Sequence, residues 1–540
     1  MRTIEMAVGT PAAGDRGECH MQDHGTVDIA VIGGGVNGAG IARDAAGRGL
    51  TVLLCEKGDL AEGTSSRSGK LVHGGLRYLE YYEFRLVREA LIEREVLLRA
   101  APHIIWPMRF VLPHSPEQRP VWMIRTGLFL YDHLGGRKML PSSRKLDLRR
   151  APEGKSIKPE YTTAFEYSDC WVDDARLVVL NALDAKQRGA VVLTRTAATS
   201  ARRGEDGLWT VDMRGVDGTA SRVRARALVN SAGPWVEDVV GRVAGRNSSY
   251  KVRLVKGSHI VVPKFWEGPQ AYLFQNDDKR VIFVNPYEGD LCLIGTTDIP
   301  YAGRPEEATI DQSEIDYLLD AVNRYAATPL RASDIVYSFS GVRPLYDNDA
   351  DANASAVTRD YVFEVDDPVG QPPLLSVFGG KITTFRKLAE HALDRLVARF
   401  PGMGPAWTAT ATLPGGDLPD ADFNRFLGAF MAEYPWLPAD LGAHYAHLYG
   451  TRARAVLGDA DDLGSLGRHF GGLLYEREAR FLRDTEWAMT SADILTRRTK
   501  HGLHLSEAER RDFQDWMDGG DDLRLSGPMS ERGTVQVGLA

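Results

Sequence analysis

Three glycines and one acidic residue have the spacing of a binding site for a phosphate-containing cofactor. Gly33, Gly35 and Gly38 form a Gly-x-Gly-x-x-Gly motif, and Glu56 closes the apolar run that comes next. Glycines so spaced let the backbone turn tightly and approach a pyrophosphate at a helix N-terminus, while an acidic side chain can bind a ribose hydroxyl. Glutamate rather than arginine at this position favours a ribose without a 2′-phosphate. The motif therefore predicts a dinucleotide site, but it does not distinguish NAD from FAD.

The elements that must position this motif are two strands and the helix between them. Residues 27–32 and 50–56 are almost continuous apolar runs, which are typical of parallel strands covered on both faces. The small residues between them predict a helix, and the whole is a βαβ unit. Helical spacing predicts two further helices, over about 82–100 and about 174–188, the second with Asp173 or Asp174 as its cap.

The pattern along the chain predicts a mixed α/β (α+β) fold with several units. Residues 1–25 are expected to be a disordered N-terminal extension, since they lack the basic start and apolar run of a targeting peptide. Residues 26–404 form the main domain, in which β-rich runs at about 250–345 predict an antiparallel substrate floor. The Pro- and Gly-rich stretch 405–419 predicts a linker, and 420–540 a helical C-terminal domain.

Composition narrows the classes of function. The 540 residues carry a net charge of −8, so no overall field attracts nucleic acid. The four cysteines show no Cys-x-x-Cys spacing, which argues against a zinc site and a disulfide scaffold and favours a reducing compartment. No metal is therefore expected. No apolar stretch approaches the roughly 18 residues that a membrane-spanning helix needs.

Six runs beyond the glycine motif carry a resemblance to one enzyme family. They are TSSRSGKLVHGGLRYLE (64–80), EYSDCWVDDARLV (166–178), KGSHIVVP (256–263), GTTD (295–298), SGVRPL (340–345) and SVFGGKITTFRKLAEHAL (376–393). In this order they resemble the respiratory, FAD-dependent glycerol-3-phosphate dehydrogenases of bacteria, and the similarity extends from about Val27 to near the C-terminus. One position departs from the pattern. The family usually has Ser-Ser-Lys where this chain has Ser68-Gly69-Lys70, so a hydroxyl is lost at residue 69.

The resemblance implies an FAD-binding Rossmann-like domain, an antiparallel substrate domain and a helical C-terminal domain. It implies oxidation of sn-glycerol 3-phosphate to dihydroxyacetone phosphate, with hydride transfer to FAD and electron delivery to a membrane quinone. The enzyme would lie peripherally at the cytoplasmic face of the membrane, without nucleic acid, and a homodimer is compatible with the resemblance. Alternatives are a glycerol-3-phosphate oxidase that reduces O2, or a related FAD-dependent oxidoreductase on another small substrate. A flavin-containing sensor without turnover is disfavoured by the many basic and histidine residues.

The resemblance also assigns site residues by position. Those that match the cofactor site are Gly33, Gly35, Gly38, Glu56, Thr64, Ser65, Ser66, Lys70, His73, Gly233, Gly379 and Gly380. Those that match the substrate pocket are Arg77, Tyr78, Arg343 and Lys381. Arginine and lysine suit a phosphate dianion, although each of them taken alone is better interpreted as a solvated surface charge.

Oxidation of an alcohol also needs a base for the hydroxyl proton, and histidine is the usual one near neutral pH. His259 and His73 are the candidates. We prefer His259 because His73 is expected to pack beside the flavin, and Arg343 is the second residue expected to be catalytic. A buried structural histidine is an equally good interpretation of either. Asp169, Asp173 and Asp174 could form an acid–base cluster, but capping of a helix start is the better interpretation.

A quinone-linked enzyme without a spanning helix needs another contact with the bilayer. The segment RPVWMIRTGLFLYDHLGGRK (119–138) combines large apolar residues, among them Trp122 and Phe129, with basic residues at both ends, including Arg137 and Lys138. This composition is typical of an interfacial anchor. The alternative is a buried helix with basic ends.

Overall fold

A largely parallel sheet carries the glycine motif at its centre. The structure, a computed structural model, describes residues 21–115, 117–136, 139–278, 280–347 and 360–519. Within these residues the strands of this first sheet are β1 (Gln22–Ile32), β2 (Val52–Cys55), β7 (Val191–Leu193), β8 (Thr196–Arg203), β9 (Trp209–Gly215), β10 (Ala220–Asn230), β17 (Val362–Asp366) and β18 (Leu374–Phe378). The central order β18-β10-β1-β2-β7 is parallel, and β9 and β17 run antiparallel to their neighbours.

The βαβ unit predicted from the sequence is confirmed. Helix α1 (Val36–Gly47) joins β1 to β2, and Ile29, Val31 and Leu54 in these strands are fully buried, as expected for a sheet covered on both faces. Strand β1 starts earlier than predicted, because residues 22–25 continue it and pair with β10 around Gln22 and Ser221. The expectation of disorder for residues 1–25 is therefore wrong for its last four residues, and residues 1–20 lie outside the described part of the chain.

The second sheet provides the antiparallel floor that the sequence predicts. Its described strands are β3 (Leu71–Val72), β4 (Ile105–His114), β5 (Arg144–Asp147), β6 (Thr163–Val172), β11 (Lys251–Pro263), β12 (Ala271–Gln275), β13 (Val281–Tyr287), β14 (Leu291–Gly295), β15 (Ile299–Pro300) and β16 (Tyr337–Asp347). Strand β11 lies near one edge of this sheet and pairs antiparallel with β14, β15 and β16. Strands β12 and β4 form a parallel pair within this sheet. The sheet thus brings residues from 71 to 347 into one surface.

Helices cover the two sheets and form the C-terminal domain. In the main domain they are α2 (Phe84–Ala100), α3 (Val121–Leu134), α4 (Asp174–Gln187), α5 (Val236–Asp238), α6 (Gln312–Asn323) and α7 (Phe385–Leu396). In the C-terminal domain they are α8 (Phe423–Glu433), α9 (Ala439–Tyr449), α10 (Ala453–Leu457), α11 (Glu476–Glu486) and α12 (Glu507–Asp518), with a hairpin of β19 (His469–Gly471) and β20 (Leu474–Tyr475). The predicted helices at about 82–100 and 174–188 correspond to α2 and α4. Asp173 caps α4, because its carboxylate accepts the Arg176 N–H at 3.1 Å.

The stretch 405–419 contains no strand and ends at a single turn of 3-10 helix, yet it packs closely on the main domain. The Leu413 side chain is buried, and its N–H donates to the Ala100 carbonyl at 2.7 Å. The Trp407 ring lies under the Arg188 guanidinium, 3.9 Å from the ring centroid. The segment therefore connects the two domains and is itself packed on the main domain through Trp407 and Leu413.

Buried ion pairs join the C-terminal domain to the main domain. Arg498 is fully buried and donates from both terminal nitrogens to the Asp59 carboxylate, at 2.7 and 2.8 Å. Lys500 forms an ion pair with Asp173 at the start of α4. Asp59 lies close after Glu56 in the chain, so the C-terminal domain holds a loop of the predicted cofactor site.

We expect Asp59→Asn to destabilise the protein by about 3 to 5 kcal/mol, because it leaves the buried guanidinium of Arg498 without a counter-charge. Burial raises the pKa of Asp59, but hydrogen bonds from Arg498 and the charges of Arg498 and Arg497 outweigh it, so this pKa lies below its ordinary value. The contribution should thus be complete above about pH 4 and be lost as the pH falls further. Urea unfolding at several pH values measures it.

The matched control is Asp459→Asn, which breaks the ion pair of a 94% exposed carboxylate with Arg477. It should leave the urea unfolding midpoint close to that of wild type, because water screens an exposed ion pair. Equal stability of the two variants at pH 7 would contradict the role assigned to Asp59.

Candidate active site

The turn between β1 and α1 has no room for side chains at two of the three motif glycines. A Cβ on Gly38 would lie 1.9 Å from the Gly33 carbonyl oxygen. Gly33 has φ +112°, and a Cβ there would lie 2.6 Å from the carbonyl oxygen of Ser231, the residue after β10. Gly35 is the N-cap of α1 and has no side chain with which to cap the helix, while the Ser65 hydroxyl accepts the Val36 N–H. The backbone N–H groups of this first turn are the kind of donors that suit an anionic ligand.

Glu56 lies at the end of β2, beside the glycine turn. Its carboxylate accepts the Gly34 N–H at 2.6 Å and the Gly58 N–H at 2.8 Å. Burial raises the pKa of Glu56, and the two N–H donors act in the opposite direction. This is the position from which an acidic side chain reaches a ribose at the carboxyl edge of a parallel sheet.

The loop 64–70 packs against both halves of the site. The Ser65 hydroxyl accepts the Val36 N–H at 3.0 Å, and the Thr64 hydroxyl donates to the Val342 carbonyl at 2.6 Å. The Lys70 ammonium forms a buried ion pair of 2.8 Å with Asp174 and also donates to the Ser66 carbonyl at 3.2 Å. Lys70 thus holds the loop on α4. Its assignment as a direct cofactor ligand stays a prediction.

His259 and Arg343 come together on neighbouring strands of the floor. His259 lies on β11 opposite Phe339 of β16, and the two rings stack with centroids 4.8 Å apart. Arg343 on β16 donates to Asp298 at 2.7 Å and to the Thr296 hydroxyl at 3.1 Å. Burial lowers the pKa of His259, and the charges of Arg343 and Lys70 lower it further, to about 3. The imidazole is therefore neutral at neutral pH and can accept a proton.

Lys381 and Tyr78 form a second part of the predicted pocket. The Lys381 ammonium lies 4.1 Å from the centroid of the Tyr78 ring. Arg77, the neighbour of Tyr78, contacts the Tyr81 hydroxyl at 3.4 Å on the exposed side of the same 3-10 helix, Leu76–Tyr81. The structure thus pairs Lys381 with Tyr78, while the assignment of Arg77 to the phosphate clamp stays a prediction.

Gly379 and Gly380, which precede Lys381, lie against the glycine motif at the start of α1. A Cβ on Gly380 would lie 2.9 Å from the Asn37 amide nitrogen, and that nitrogen donates to the Gly379 carbonyl at 3.3 Å. Gly379 and Gly380 both have positive φ, of 77° and 103°. Glycine is thus required here by backbone conformation and by close approach.

Two further cofactor assignments lie on the border of this region. The His73 N–H donates to the Thr383 hydroxyl at 3.3 Å, and its ring centroid is 6.1 Å from that of Phe283. Gly233, with φ +55°, begins the turn that carries Trp235. The Trp235 ring lies under the Lys57 ammonium at 3.7 Å, close after Glu56. The assignment of His73 and Gly233 to the cofactor site stays a prediction.

Sequence reasoning missed three residues of this region. The Asn37 amide oxygen is buried without a hydrogen-bond partner among the described residues, within the glycine motif itself. Asp298 orients Arg343, and Asp174 pairs with Lys70. Both acids stand in runs that carry the family resemblance, but only the sheet pairing shows which cation each one meets. Asp169 pairs with Arg94 at 2.6 Å, so the three acids at 169–174 have separate partners and form no acid–base cluster.

Comparison with known proteins agrees with this arrangement. The family model described as "FAD dependent oxidoreductase" matches residues 28–386. D-erythritol 1-phosphate dehydrogenase of Brucella abortus (strain 2308) is 64% identical over 92% of this chain and 99% of that protein. Aerobic glycerol-3-phosphate dehydrogenase of Escherichia coli (strain K12) is 51% identical over 93% of this chain and 99% of that protein.

A solved structure shares the architecture. The glycerol-3-phosphate dehydrogenase from Bacillus halodurans complexed with FAD superposes with a TM-score of 0.71, at 27% identity, over 92% of this chain and 94% of that chain. The residues present here fit the same cofactor. The glycine turn and the N-terminus of α1 suit the pyrophosphate, Glu56 suits the ribose, and the Asn37 amide oxygen, which has no hydrogen-bond partner among the described residues, offers a further acceptor.

We expect Glu56→Ala to weaken FAD binding by about tenfold or more, because a charge-assisted hydrogen bond to the ribose is lost. The flavin-to-protein ratio after gel filtration measures the effect. Glu205→Ala, which changes an exposed glutamate far along the chain, serves as control and should keep its flavin. Full flavin occupancy in Glu56→Ala would show that Glu56 does not bind the ribose of FAD.

Proposed function

Because the chain belongs to the family of FAD-dependent oxidoreductases that includes the bacterial glycerol-3-phosphate dehydrogenases, we propose that it oxidises a small polyol monophosphate. The reacting group is the secondary alcohol next to the phosphate-bearing carbon. The observation that carries the proposal is the pair His259 and Arg343, a neutral buried base beside an oriented cation in the floor of the site. The candidate substrates are sn-glycerol 3-phosphate and D-erythritol 1-phosphate, which the names of the two relatives contain.

His259 is the base in this proposal. Its Nε2 accepts the hydroxyl proton of the substrate while the hydride on the same carbon leaves, so that a ketone forms. FAD, when bound, supplies the acceptor for that hydride. Neighbouring cations disfavour the protonated imidazole, and a phosphate dianion that binds beside them offsets their charge. The imidazole of His259 therefore becomes a stronger base when the phosphorylated substrate is in place.

Arg343 is the primary phosphate ligand in this proposal, with Lys381 as a second cation. The Arg343 guanidinium is a planar fork that suits phosphate oxygens, and Asp298 and Thr296 fix its orientation. Gly257 makes room for it, since a Cβ there would lie 2.4 Å from the Arg343 Nη2. The site thus selects a phosphorylated substrate over an amino acid.

We expect either polyol phosphate, added anaerobically to the purified holoprotein, to bleach the flavin absorbance. Arg343→Ala should keep its FAD but lose about 2 to 5 kcal/mol of transition-state stabilisation in kcat/KM, because the anion loses its partner. Stopped-flow spectroscopy measures the bleaching and its dependence on substrate concentration in wild type and in Arg343→Ala. Arg343→Lys is a further variant that keeps the positive charge but lacks the planar guanidinium. Absence of bleaching by both substrates would reject the proposed function, and unchanged kinetics in Arg343→Ala would remove Arg343 from the clamp.

The proposed electron acceptor is a membrane quinone. The two relatives compared above are named dehydrogenases, which favours an acceptor other than O2. Quinone reduction in the steady state supports this acceptor, whereas stoichiometric peroxide would identify an oxidase.

Helix α3 is the proposed contact with the membrane surface at the cytoplasmic face. In the described residues no helix is long and apolar enough to cross a bilayer. Helix α3 buries Leu128 and Tyr131, while Trp122 is 65% and Phe129 is 59% exposed. The alternative of a buried helix is therefore wrong for these two aromatic residues. Arg137 and Lys138, which the sequence analysis placed at the basic end, lie outside the described residues.

Exposed aromatic residues next to α3 enlarge this surface. Tyr82 is 80% exposed, and Tyr81 and Phe84 are also exposed, in the segment that leads into α2. Arg125 is exposed on α3 itself. Large aromatic residues with basic neighbours favour the interface of an anionic bilayer.

We expect the double variant Trp122→Ser/Phe129→Ser to bind liposomes that contain phosphatidylglycerol about tenfold or more weakly, because two aromatic side chains no longer enter the interface. Co-sedimentation measures the partition. Val369→Ser/Met489→Ser removes two exposed apolar side chains elsewhere and should leave it unchanged. Equal binding of wild type and the aromatic variant would reject α3 as the anchor.

A further inference from the structure

Gly69 is a glycine that the fold does not need. Its φ lies outside the left-handed region, so an L-residue can take the same backbone conformation. Among the described residues other than its chain neighbours, one heavy atom lies within 4 Å of the position where a Cβ would stand, the His259 Nε2 at 3.6 Å. That separation is ordinary van der Waals contact. Gly33 and Gly38 contrast with it, because a Cβ on either would collide with backbone.

The absence of a side chain at residue 69 therefore keeps a space open beside the proposed base. Gly69 is also the position at which the sequence departs from the Ser-Ser-Lys pattern of the family that it resembles. A serine would place its hydroxymethyl group in this space, next to the His259 Nε2. Neither the backbone conformation nor the packing requires glycine at residue 69. The open space beside His259 therefore points to a role in binding rather than in folding.

Two buried polar side chains next to Gly69, those of Asn285 and His259, each carry an atom without a hydrogen-bond partner among the described residues. The Asn285 amide nitrogen donates to the Gly69 carbonyl at 3.2 Å, and its amide oxygen has no hydrogen-bond partner in the described part of the chain. The same is true of the His259 Nδ1. Asn285 is 1% exposed and His259 3% exposed. A buried polar atom without a partner is costly, and a bound hydroxyl group would remove that cost.

We propose that Gly69 determines specificity by admitting one more hydroxylated carbon beside His259, so that a four-carbon polyol monophosphate is preferred over a three-carbon one. The inference rests on the proposed function. D-erythritol 1-phosphate has one CHOH group more than sn-glycerol 3-phosphate, and in both the phosphate is one carbon from the reacting alcohol. With the phosphate at Arg343 and the alcohol at His259, the additional carbon extends past the base. Gly69 provides the room there.

The test compares wild type, Gly69→Ala and Gly69→Ser as holoenzymes. Steady-state kinetics with one common acceptor give kcat/KM for D-erythritol 1-phosphate and for sn-glycerol 3-phosphate. Wild type should have the higher value for the four-carbon substrate. The ratio of the two values should fall by about tenfold or more in Gly69→Ser, in the range that one methylene group changes specificity, and by less in Gly69→Ala. A rise in KM for the four-carbon substrate should accompany the fall, since the added side chain takes up its binding space.

Flavin content and unfolding midpoints confirm that each variant is folded. Gly241→Ser is the matched control, because the position is exposed and has nothing within 4 Å of its Cβ site. Its ratio should equal that of wild type. An unchanged ratio in both Gly69 variants would overturn the inference, as would a wild-type preference for the three-carbon substrate, and either result leaves the proposed oxidation intact. Failure of both polyol phosphates to reduce the wild-type flavin would reject the proposed function and this inference with it.

Discussion

Paired buried charge between segments far apart in sequence is the interaction on which the site depends. The loop that follows Glu56 is fixed near its start by Asp59, which meets Arg498 of the C-terminal domain, and at its end by Lys70, which meets Asp174 on α4. A charge in the interior costs several kcal/mol when its partner is absent. The position of the loop around Asp59 therefore depends on a residue of the C-terminal domain. This gives that domain a part in building the cofactor site.

Charges near His259 also affect how readily its imidazole accepts a proton. Burial keeps the His259 imidazole neutral by lowering its pKa, and the charges of Arg343 and Lys70 act in the same direction although each has a carboxylate partner. A neutral imidazole beside two cations suits a substrate that brings its own negative charge, because the phosphate then offsets the repulsion that protonation of the imidazole creates. In the proposed reaction the group that identifies the substrate also strengthens the base.

Glycines serve two different purposes in this site. At Gly33, Gly38 and Gly380 the neighbouring backbone or side-chain atoms leave no room for a Cβ, so the fold itself requires glycine. At Gly69 the backbone is unstrained and the surroundings are open, so the fold tolerates other residue types there. In the proposed function the size of this residue determines how large a substrate fits in the pocket. A glycine motif read from sequence does not separate these two cases, because both depend on which atoms lie opposite.

The sequence by itself determined the βαβ unit, the antiparallel sheet, the helical C-terminal domain and the glycine turn with Glu56 beside it, since local periodicity and turn chemistry encode these features. It also singled out His259 and Arg343, through a resemblance rather than through spacing. Only the tertiary structure decided that Lys70 pairs with Asp174, that Asp298 orients Arg343, and that β1 begins at Gln22 because β10 pairs with it. Partners separated by tens or hundreds of residues leave no local pattern, because the energy of a buried pair depends on the distance in space between two charges and not on their distance along the chain.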